Sequence, residues 1–348
     1  MTAPLPDAAP TNWVDRHAPE GWKPWLKLGR FDRPIGIWLL LLPGWQGITL
    51  ALAAWRKTPD LYDAWLYLGF LIGACLMRAA GCAFNDVVDR KVDRQVARTA
   101  GRPVASGRIS VKQALAFVVG CSLVSLGILL TLGLHAIVLG LCSLVLVAAY
   151  PFMKRITWWP QAWLGLTFNW GVLMGFAAAI GPAMAAAAGA DMGLATLSAD
   201  HSGPVDRSLH DLYVVMPGPQ FYITAVLLYL SGVFWTLGYD TIYALQDVED
   251  DAMVGVKSSA RRLGANVRGG VGAFYAVSVV LAGLAGAAAG LGPLFWVGLA
   301  LFAAHLARQT VRVRRDDGVR ALTLFKSNRE AGLILLSATG LGAIGWPI

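Results

Sequence analysis

Carboxylate and amide side chains recur at helical spacing in a segment that reads CAFNDVVDRKVDR. Asn85, Asp89 and Asp93, here called the first acidic set, stand four residues apart, and Asp86 lies on the adjoining face. Residues four apart are neighbours on a helix, so we expect one amide and two carboxylates to line a single helical face. Carboxylates so placed repel one another unless a cation lies among them. Hard oxygen ligands that are open to water suit Mg²⁺, which keeps positions for phosphate oxygens.

A second group of acids closes another apolar stretch, which ends LGYDTIYALQDVEDD. Asp240, Asp247 and Asp251, the second acidic set, are spaced to share one helical stripe, with Tyr243 alongside. Acids within or beside an apolar membrane helix are functional by default, because placing them there is costly. We expect both sets to lie at the same membrane surface and to face each other across one cavity.

Basic residues lie just beyond both acidic sets. They are Arg98, Arg102, Lys154, Arg155 and Lys257. Arg offers paired donors to phosphate oxygens, and Lys offers a point charge. Acids that bind a metal and bases that bind phosphate, together at a membrane surface, indicate a lipid diphosphate as the substrate. Charged loops beside membrane helices also mark topology alone, and for any single Arg that alternative stays open.

The elements that must position these residues are membrane helices. The chain has 348 residues, of which 56% are hydrophobic and 14% charged. A bilayer core needs about 20 apolar residues per helix. The predicted spans are 35–55, 62–84, 112–131, 134–152, 161–180, 220–244, 267–290, 293–308 and 330–347. The sequence thus predicts an all-α, polytopic bundle of nine transmembrane helices, with residues 35–348 forming one domain after an N-terminal segment, 1–34.

The positions of Lys and Arg predict the orientation. Most of the 29 Lys and Arg residues lie in the N-terminal segment or in the loops near 85–112, 153–160, 245–268 and 308–329. The exceptions are Arg56, Lys57 and Arg207 on the other side and Arg78 within the second span. Since Lys and Arg favour cytoplasmic loops, we expect the N-terminus and both acidic sets to face the cytoplasm of a bacterial-type inner membrane. This topology accounts for the net charge of +8 without a nucleic-acid partner.

Four cysteines, Cys75, Cys82, Cys121 and Cys142, lie in apolar stretches without a CxxC pair, which indicates neither a disulfide framework nor a zinc site. The first 34 residues hold no apolar core of a signal peptide, so we expect no cleavable leader.

Residues 181–219 are too polar to span, and we expect them to form an insertion on the far side. A surface helix and partial disorder are both compatible with their composition. Although His201 and His210 lie there near aspartates, their spacing matches no known metal geometry.

Six motifs together resemble the UbiA superfamily of intramembrane prenyltransferases. They are FDRPIG, LMRAAGCAFND, RTAGRP, YPFMKR, YDTIYALQDVEDD and VKSSA. In detail they are similar to the branch that attaches a polyprenyl chain to 4-hydroxybenzoate. The resemblance runs from about Leu28 to the C-terminus and departs from the family pattern mainly in 181–219. It implies a nine-helix fold, Mg²⁺ as cofactor, and polyprenyl diphosphate and 4-hydroxybenzoate as substrates within the lipid bilayer.

The resemblance also implies roles for individual residues. The first acidic set becomes one Mg²⁺–diphosphate site, and Asp247 with Asp251 becomes the other. Arg155 and Lys257 are implied diphosphate contacts, and Asp240 is an acid near the acceptor. Arg33 and Arg78 are candidates for holding either the acceptor carboxylate or the diphosphate.

Three alternatives remain open at this stage. The acceptor could instead be homogentisate, a naphthoate, haem or a phosphosugar. A cation-coupled transporter would place its polar groups near the bilayer midplane, often within internal repeats, whereas these acids cluster at one surface. A structural or assembly factor would have no use for two aligned acidic sets.

Overall fold

The computed structural model describes residues 12–95, 99–198, 219–248, 255 and 257–344, and every regular element among them is a helix. The α-helices are α1 (Trp13–His17), α2 (Lys23–Leu28), α3 (Ile35–Ala54), α4 (Leu61–Val88), α5 (Arg90–Asp93), α6 (Val111–Leu129), α7 (Leu134–Ile156), α8 (Pro160–Ser198), α9 (Pro219–Tyr243), α10 (Ser259–Leu263), α11 (Val267–Ala288), α12 (Pro293–Arg312), α13 (Gly318–Lys326) and α14 (Asn328–Gly342). Short 3₁₀ helices cover Ala244–Gln246 and Gly264–Asn266. The predicted all-α class is confirmed.

Each predicted span coincides with one of these helices. Seven segments of the described residues are long and apolar enough to cross a membrane: Ile35–Ala54, Leu61–Val88, Val111–Leu129, Pro160–Gly181, Tyr222–Gln246, Ser259–Ala288 and Pro293–Arg312. In α7 the apolar part is shorter, Leu134–Tyr150, and α14 has 15 residues. The count of nine crossings therefore stays a prediction, whereas the multi-pass character is clear.

Helix α8 continues beyond its predicted end near residue 180. It extends to Ser198 through an Ala- and Gly-rich run, AMAAAAGADMGLATLS. Alanine has the highest helix propensity of all residues, so a polar and alanine-rich segment can remain helical past the apolar part. The rest of the predicted insertion, with His201 and His210, lies outside the described residues.

Short helices also form in segments predicted as loops. In the N-terminal segment, the Asn12 side chain caps α1 by accepting a hydrogen bond from the Asp15 N–H at 3.0 Å. In the loop after α12, the Asp317 side chain caps α13 by accepting from the Arg320 N–H at 2.9 Å. Both caps satisfy backbone donors that a helix start leaves without intrahelical partners.

The chain forms two compact units, of which the first comprises Met1–Leu41 and Leu68–Thr131. Its buried core consists of Leu28, Ala83, Val87, Val104, Ile109 and Ala114. Trp25 of α2 packs against Phe117 of α6 with ring centroids 5.8 Å apart. The N-terminal helices are thus attached to the helices that carry the first acidic set.

The second unit comprises Leu42–Tyr67 and Leu132–Ile348. In it, α3 and α8 touch backbone to backbone. A Cβ atom at Gly47 would lie 2.1 Å from the Val172 carbonyl oxygen, and one at Gly175 would lie 2.3 Å from the Gly44 carbonyl oxygen. Such distances are far below contact, so these glycines let two membrane helices approach closely.

Buried polar contacts connect five helices of the second unit. Trp235 Nε1 of α9 donates to Asn328 Oδ1 at 2.8 Å, and the Tyr275 hydroxyl of α11 lies 2.6 Å from Gln309 Oε1 of α12. Asn328 Nδ2 donates to the carbonyl oxygens of Leu324 and Phe325 at 3.1 and 3.2 Å. Asn328 therefore caps the end of α13 from the first residue of α14.

Candidate active site

The first acidic set lies where α4 gives way to α5. Asp89 has φ −89° and ψ 2°, so it separates the two helices. Its N–H still donates to the Asn85 carbonyl at 2.9 Å, and the Asp93 N–H donates to the Asp89 carbonyl at 2.9 Å. Asn85 and Asp89 are exposed, whereas Asp86 and Asp93 are buried. The three residues of the first acidic set therefore keep helical spacing across Asp89, but they differ in exposure, because Asp93 is covered by Arg102.

Two arginines compensate the buried carboxylates. Arg30 Nη2 lies 2.5 Å from Asp86 Oδ1, and Arg102 Nη1 lies 3.5 Å from the same oxygen. Arg102 also donates to both oxygens of Asp93, at 3.1 and 2.9 Å. Burial lowers the pKa of Arg30, but the Asp86 carboxylate outweighs that effect and the pKa is raised overall. Two buried acids, the buried Arg30 and the partly exposed Arg102 thus form one charge cluster.

Two further predicted arginines belong to the same unit. Arg33 is half-buried and donates to the Asp32 carboxylate, with Nη2 3.1 Å from Oδ2. Arg78 is half-buried in α4, two helical turns before Asn85. Arg98, the remaining basic candidate of this region, lies outside the described residues.

The second acidic set begins on α9. Asp240 and Tyr243 are half-buried on its last turn, and Asp247 is half-buried just after the 3₁₀ helix that follows. The Tyr243 ring packs on Phe325 of α13, with centroids 4.5 Å apart. Asp251 lies outside the described residues. The two sets belong to different units, and their convergence on one cavity stays a prediction.

Two basic candidates meet at the end of α7. Lys257 Nζ donates to the Ile156 carbonyl at 3.2 Å, next to the exposed Arg155. The segment after Lys257 is fixed, because the Ser259 N–H donates to Gln161 Oε1 at 3.0 Å and its hydroxyl lies 2.6 Å from the Thr241 hydroxyl. Lys154 lies in α7.

Sequence reasoning missed the residues that support these groups. Arg30, Asn328 and Phe325 were not among the candidates, and Asp86 was noted only on the adjoining face, since each contacts its partner across a long sequence separation. For Asp86 the available signal was an acid at the end of an apolar span, directly after Asn85. Asn328 stands between Ser327 and Arg329 and carries no such signal. Among the described residues, no three His, Cys, Asp or Glu side chains are grouped closely enough to hold a metal by themselves. The four cysteines are free thiols.

Three comparisons place the chain among known proteins. The model of the "UbiA prenyltransferase family" matches residues 40–333. The chain is 40% identical to the mitochondrial 4-hydroxybenzoate polyprenyltransferase of Mus musculus, over 94% of the chain and 77% of that protein. It is 40% identical to that of Homo sapiens, over 93% of the chain and 76% of that protein.

Solved structures share the fold. A UbiA homolog from Aeropyrum pernix K1 has a TM-score of 0.61 at 24% identity, covering 88% of this chain and 96% of that one. A UbiA homolog from Archaeoglobus fulgidus, bound to GPP and Mg²⁺, has a TM-score of 0.54 at 14% identity, covering 90% of this chain and 99% of that one.

The relatives correct one expectation. The sequence predicted a bacterial-type inner membrane, with the N-terminus and the site facing the cytoplasm. That prediction is wrong, because the curated relatives are mitochondrial enzymes. The Lys and Arg bias identifies loops that share one side of a membrane, and it carries no information about which membrane that is. With a family model matched over most of its length and relatives at 40% identity, the chain belongs to the UbiA prenyltransferase family.

Proposed function

We propose that this chain is a Mg²⁺-dependent aromatic prenyltransferase. It transfers a polyprenyl chain from polyprenyl diphosphate to the ring carbon ortho to the phenol of 4-hydroxybenzoate, and it releases diphosphate. The observation that carries the proposal is the 40% identity, over 94% of the chain, to an enzyme named for this reaction. The placement of oxygen ligands and basic residues at helix ends gives it a physical basis.

The first acidic set fits Mg²⁺ by its donor chemistry. Asn85 and Asp89 present an amide and a carboxylate on the exposed side of the end of α4. Mg²⁺ takes one or two protein carboxylates and completes its octahedral shell with water and substrate phosphates. Asn85, Asp89 and Asp93 would hold one ion, and Asp247 with Asp251 would hold the other. When bound, Mg²⁺ offsets the charge that develops on the departing diphosphate.

Basic residues of the chain bind the diphosphate oxygens. Arg102 stands beside Asp93, and Lys257 lies near Arg155 at the end of α7. Arg98 and Lys154 belong to the same proposed sets. Their positive charges lower the free energy of the transition state, in which negative charge moves onto the leaving group.

The reaction breaks the bond between the allylic C1 and its oxygen, and the electron pair leaves with the diphosphate. The ring carbon ortho to the phenol then forms the new carbon–carbon bond to C1, and loss of its proton restores aromaticity. Asp240, half-buried one turn before Tyr243 on α9, is the proposed acceptor of that proton. The Tyr243 ring offers its face to the allylic cation.

A transfer assay tests the proposal. Membranes with the full chain receive radiolabelled 4-hydroxybenzoate, a polyprenyl diphosphate and Mg²⁺, and the lipid-soluble product is counted. We expect product that disappears with EDTA and returns with added Mg²⁺. Asp89→Asn should lower turnover by about a hundredfold or more, whereas Asp316→Asn, at an exposed position, should match the wild type. Product from homogentisate but none from 4-hydroxybenzoate would refute the acceptor, and product in EDTA would refute the metal.

A further inference from the structure

The guanidinium of Arg78 lies directly against the backbone of Gly36. Gly36 is the buried second residue of α3, and Arg78 lies on α4 within the same unit. A Cβ atom at Gly36 would lie 2.6 Å from Nε, 2.8 Å from Nη2 and 3.0 Å from Cζ of Arg78. Any side chain at position 36 would therefore occupy the space that the guanidinium now fills.

Backbone conformation does not explain a glycine at position 36. Gly36 lies within α3 and is not among the described glycines with positive φ. Alanine has a higher helix propensity than glycine, so propensity does not favour glycine at this position either. The missing side chain, and the room it leaves for Arg78, is the structural feature that accounts for glycine here.

Arg78 is also set apart from the diphosphate site. It precedes Asn85 by seven residues, which is about 10 Å along a helix with 1.5 Å per residue. Its Cα–Cβ bond tilts toward the N-terminus of α4, away from the first acidic set. A cation at that depth suits a second anionic group. The proposed acceptor carries one, a carboxylate at the end of the ring opposite the phenol.

We propose that Gly36 is a specificity-determining residue, because it leaves the space in which Arg78 is held to bind the carboxylate of the aromatic acceptor. The inference rests on the proposed function, and it assigns Gly36 a positioning role through Arg78. A planar guanidinium binds a carboxylate through two parallel hydrogen bonds, so its placement determines how well it binds.

A glycine that only allows helices to pack would behave differently. At Gly47 the nearest atoms to an added Cβ are backbone atoms of α8, so a methyl group there would push two helices apart. At Gly36 the nearest atoms are the far end of a flexible side chain. Gly36→Ala should therefore shift the guanidinium while the fold is retained.

The test uses the purified full chain in nanodiscs and compares Gly36→Ala with Gly120→Ala. Gly120 is an exposed helical glycine with nothing within 4 Å of an added Cβ. Gly36→Ala should raise KM for 4-hydroxybenzoate about tenfold or more, the value of one charge-assisted hydrogen bond. KM for the polyprenyl diphosphate and the thermal unfolding temperature should stay at wild-type values. The preference for 4-hydroxybenzoate over its uncharged amide should fall by the same factor.

A double-mutant cycle separates positioning from a general packing effect. Arg78→Ala should also raise KM for the acceptor, and adding Gly36→Ala to it should change nothing further, because the methyl group then has no guanidinium to displace. If Gly36→Ala alone unfolds, the same double variant should recover the fold. An unchanged acceptor KM in Gly36→Ala, an additive effect in the double variant, or a double variant that stays unfolded would each overturn the inference. A wild-type chain that does not prenylate 4-hydroxybenzoate would instead refute the proposed function.

Discussion

The pair formed by Arg30 and Asp86 offers a direct measure of how strongly the N-terminal helices hold the first acidic set. Asp86 has no exposed side-chain surface, and Arg30 has 10%. Arg30 also has φ +60°, a left-handed conformation that glycine adopts without strain. Arg30→Gly therefore removes the cation and keeps the turn between α2 and α3.

The expected loss follows from these observations. Removing one partner of a buried ion pair costs about 3–5 kcal/mol, because the other charge stays buried without compensation. The left-handed backbone of an L-residue costs about 1–2 kcal/mol, which the substitution relieves. Arg102, 3.5 Å from Asp86 Oδ1, retains part of the compensation. We expect a net decrease of about 2–3 kcal/mol in the free energy of unfolding.

The measurement is equilibrium unfolding of the purified chain by SDS in mixed micelles. Arg329→Ala is the matched control, since Arg329 pairs with Glu330 at an exposed site with side chains 48% and 45% accessible. An exposed pair contributes less than about 1 kcal/mol. If Arg30→Gly loses no more stability than the control, the buried pair does not hold α4. Recovery in an Arg30→Met, Asp86→Leu double variant would show that charge, rather than shape, sets the requirement.

Three further outcomes are expected. Asn328→Ala should lower the free energy of unfolding by about 2–3 kcal/mol, seen in the same SDS titration, because its buried partners lose hydrogen bonds. Phe325→Ala should lower kcat in the transfer assay, since the ring packs on Tyr243. Its free energy of unfolding, from the SDS titration, should change by less than the loss in kcat corresponds to. Burial raises the pKa of Asp15, but hydrogen bonds from Lys27 and Asn12 outweigh that effect, and the pKa is lowered from its ordinary value. A lowered pKa gives stability that is present above about pH 4 and lost below it; hydrogen exchange of α1 should therefore accelerate in acid, and Asp15→Asn should remove that pH dependence.

Much of the fold follows from the sequence because membrane helices require long apolar runs. Predicted spans such as 35–55 and 112–131 match α3 and α6 within a few residues. The end of α8 was missed because hydropathy detects where the apolar part stops, whereas the helix continues for as long as its residues favour one. Helix α13 was missed because nine residues are too few to span a membrane. Its amphipathic sequence, GVRALTLFK, carries too much charge to be predicted as a span.

The candidate site was predicted less completely than the fold. Spacing placed Asn85 and Asp89 on one exposed side, as the structure has them. It did not predict that Asp93 would be buried against Arg102, since spacing along one helix does not report which residue of a later loop covers it. Nor does any local pattern pair Arg30 with Asp86 across 56 residues. Such contacts depend on the tertiary arrangement, which periodicity does not report.

If the proposed function is right, the charge cluster of Arg30, Asp86, Asp93 and Arg102 predicts that diphosphate and metal bind cooperatively. Arg102 compensates Asp93 and lies close to Asp86, so an anion that draws Arg102 away leaves both carboxylates with less positive charge nearby. The affinity of the first acidic set for a cation must then rise, because a buried carboxylate is costly without compensation. Since coupling between two ligands is reciprocal, a cation held by Asp89 and Asp93 must also free Arg102 for phosphate. In the proposed site, the placement of Arg102 between two acids would thus couple the binding of the metal to the binding of the diphosphate.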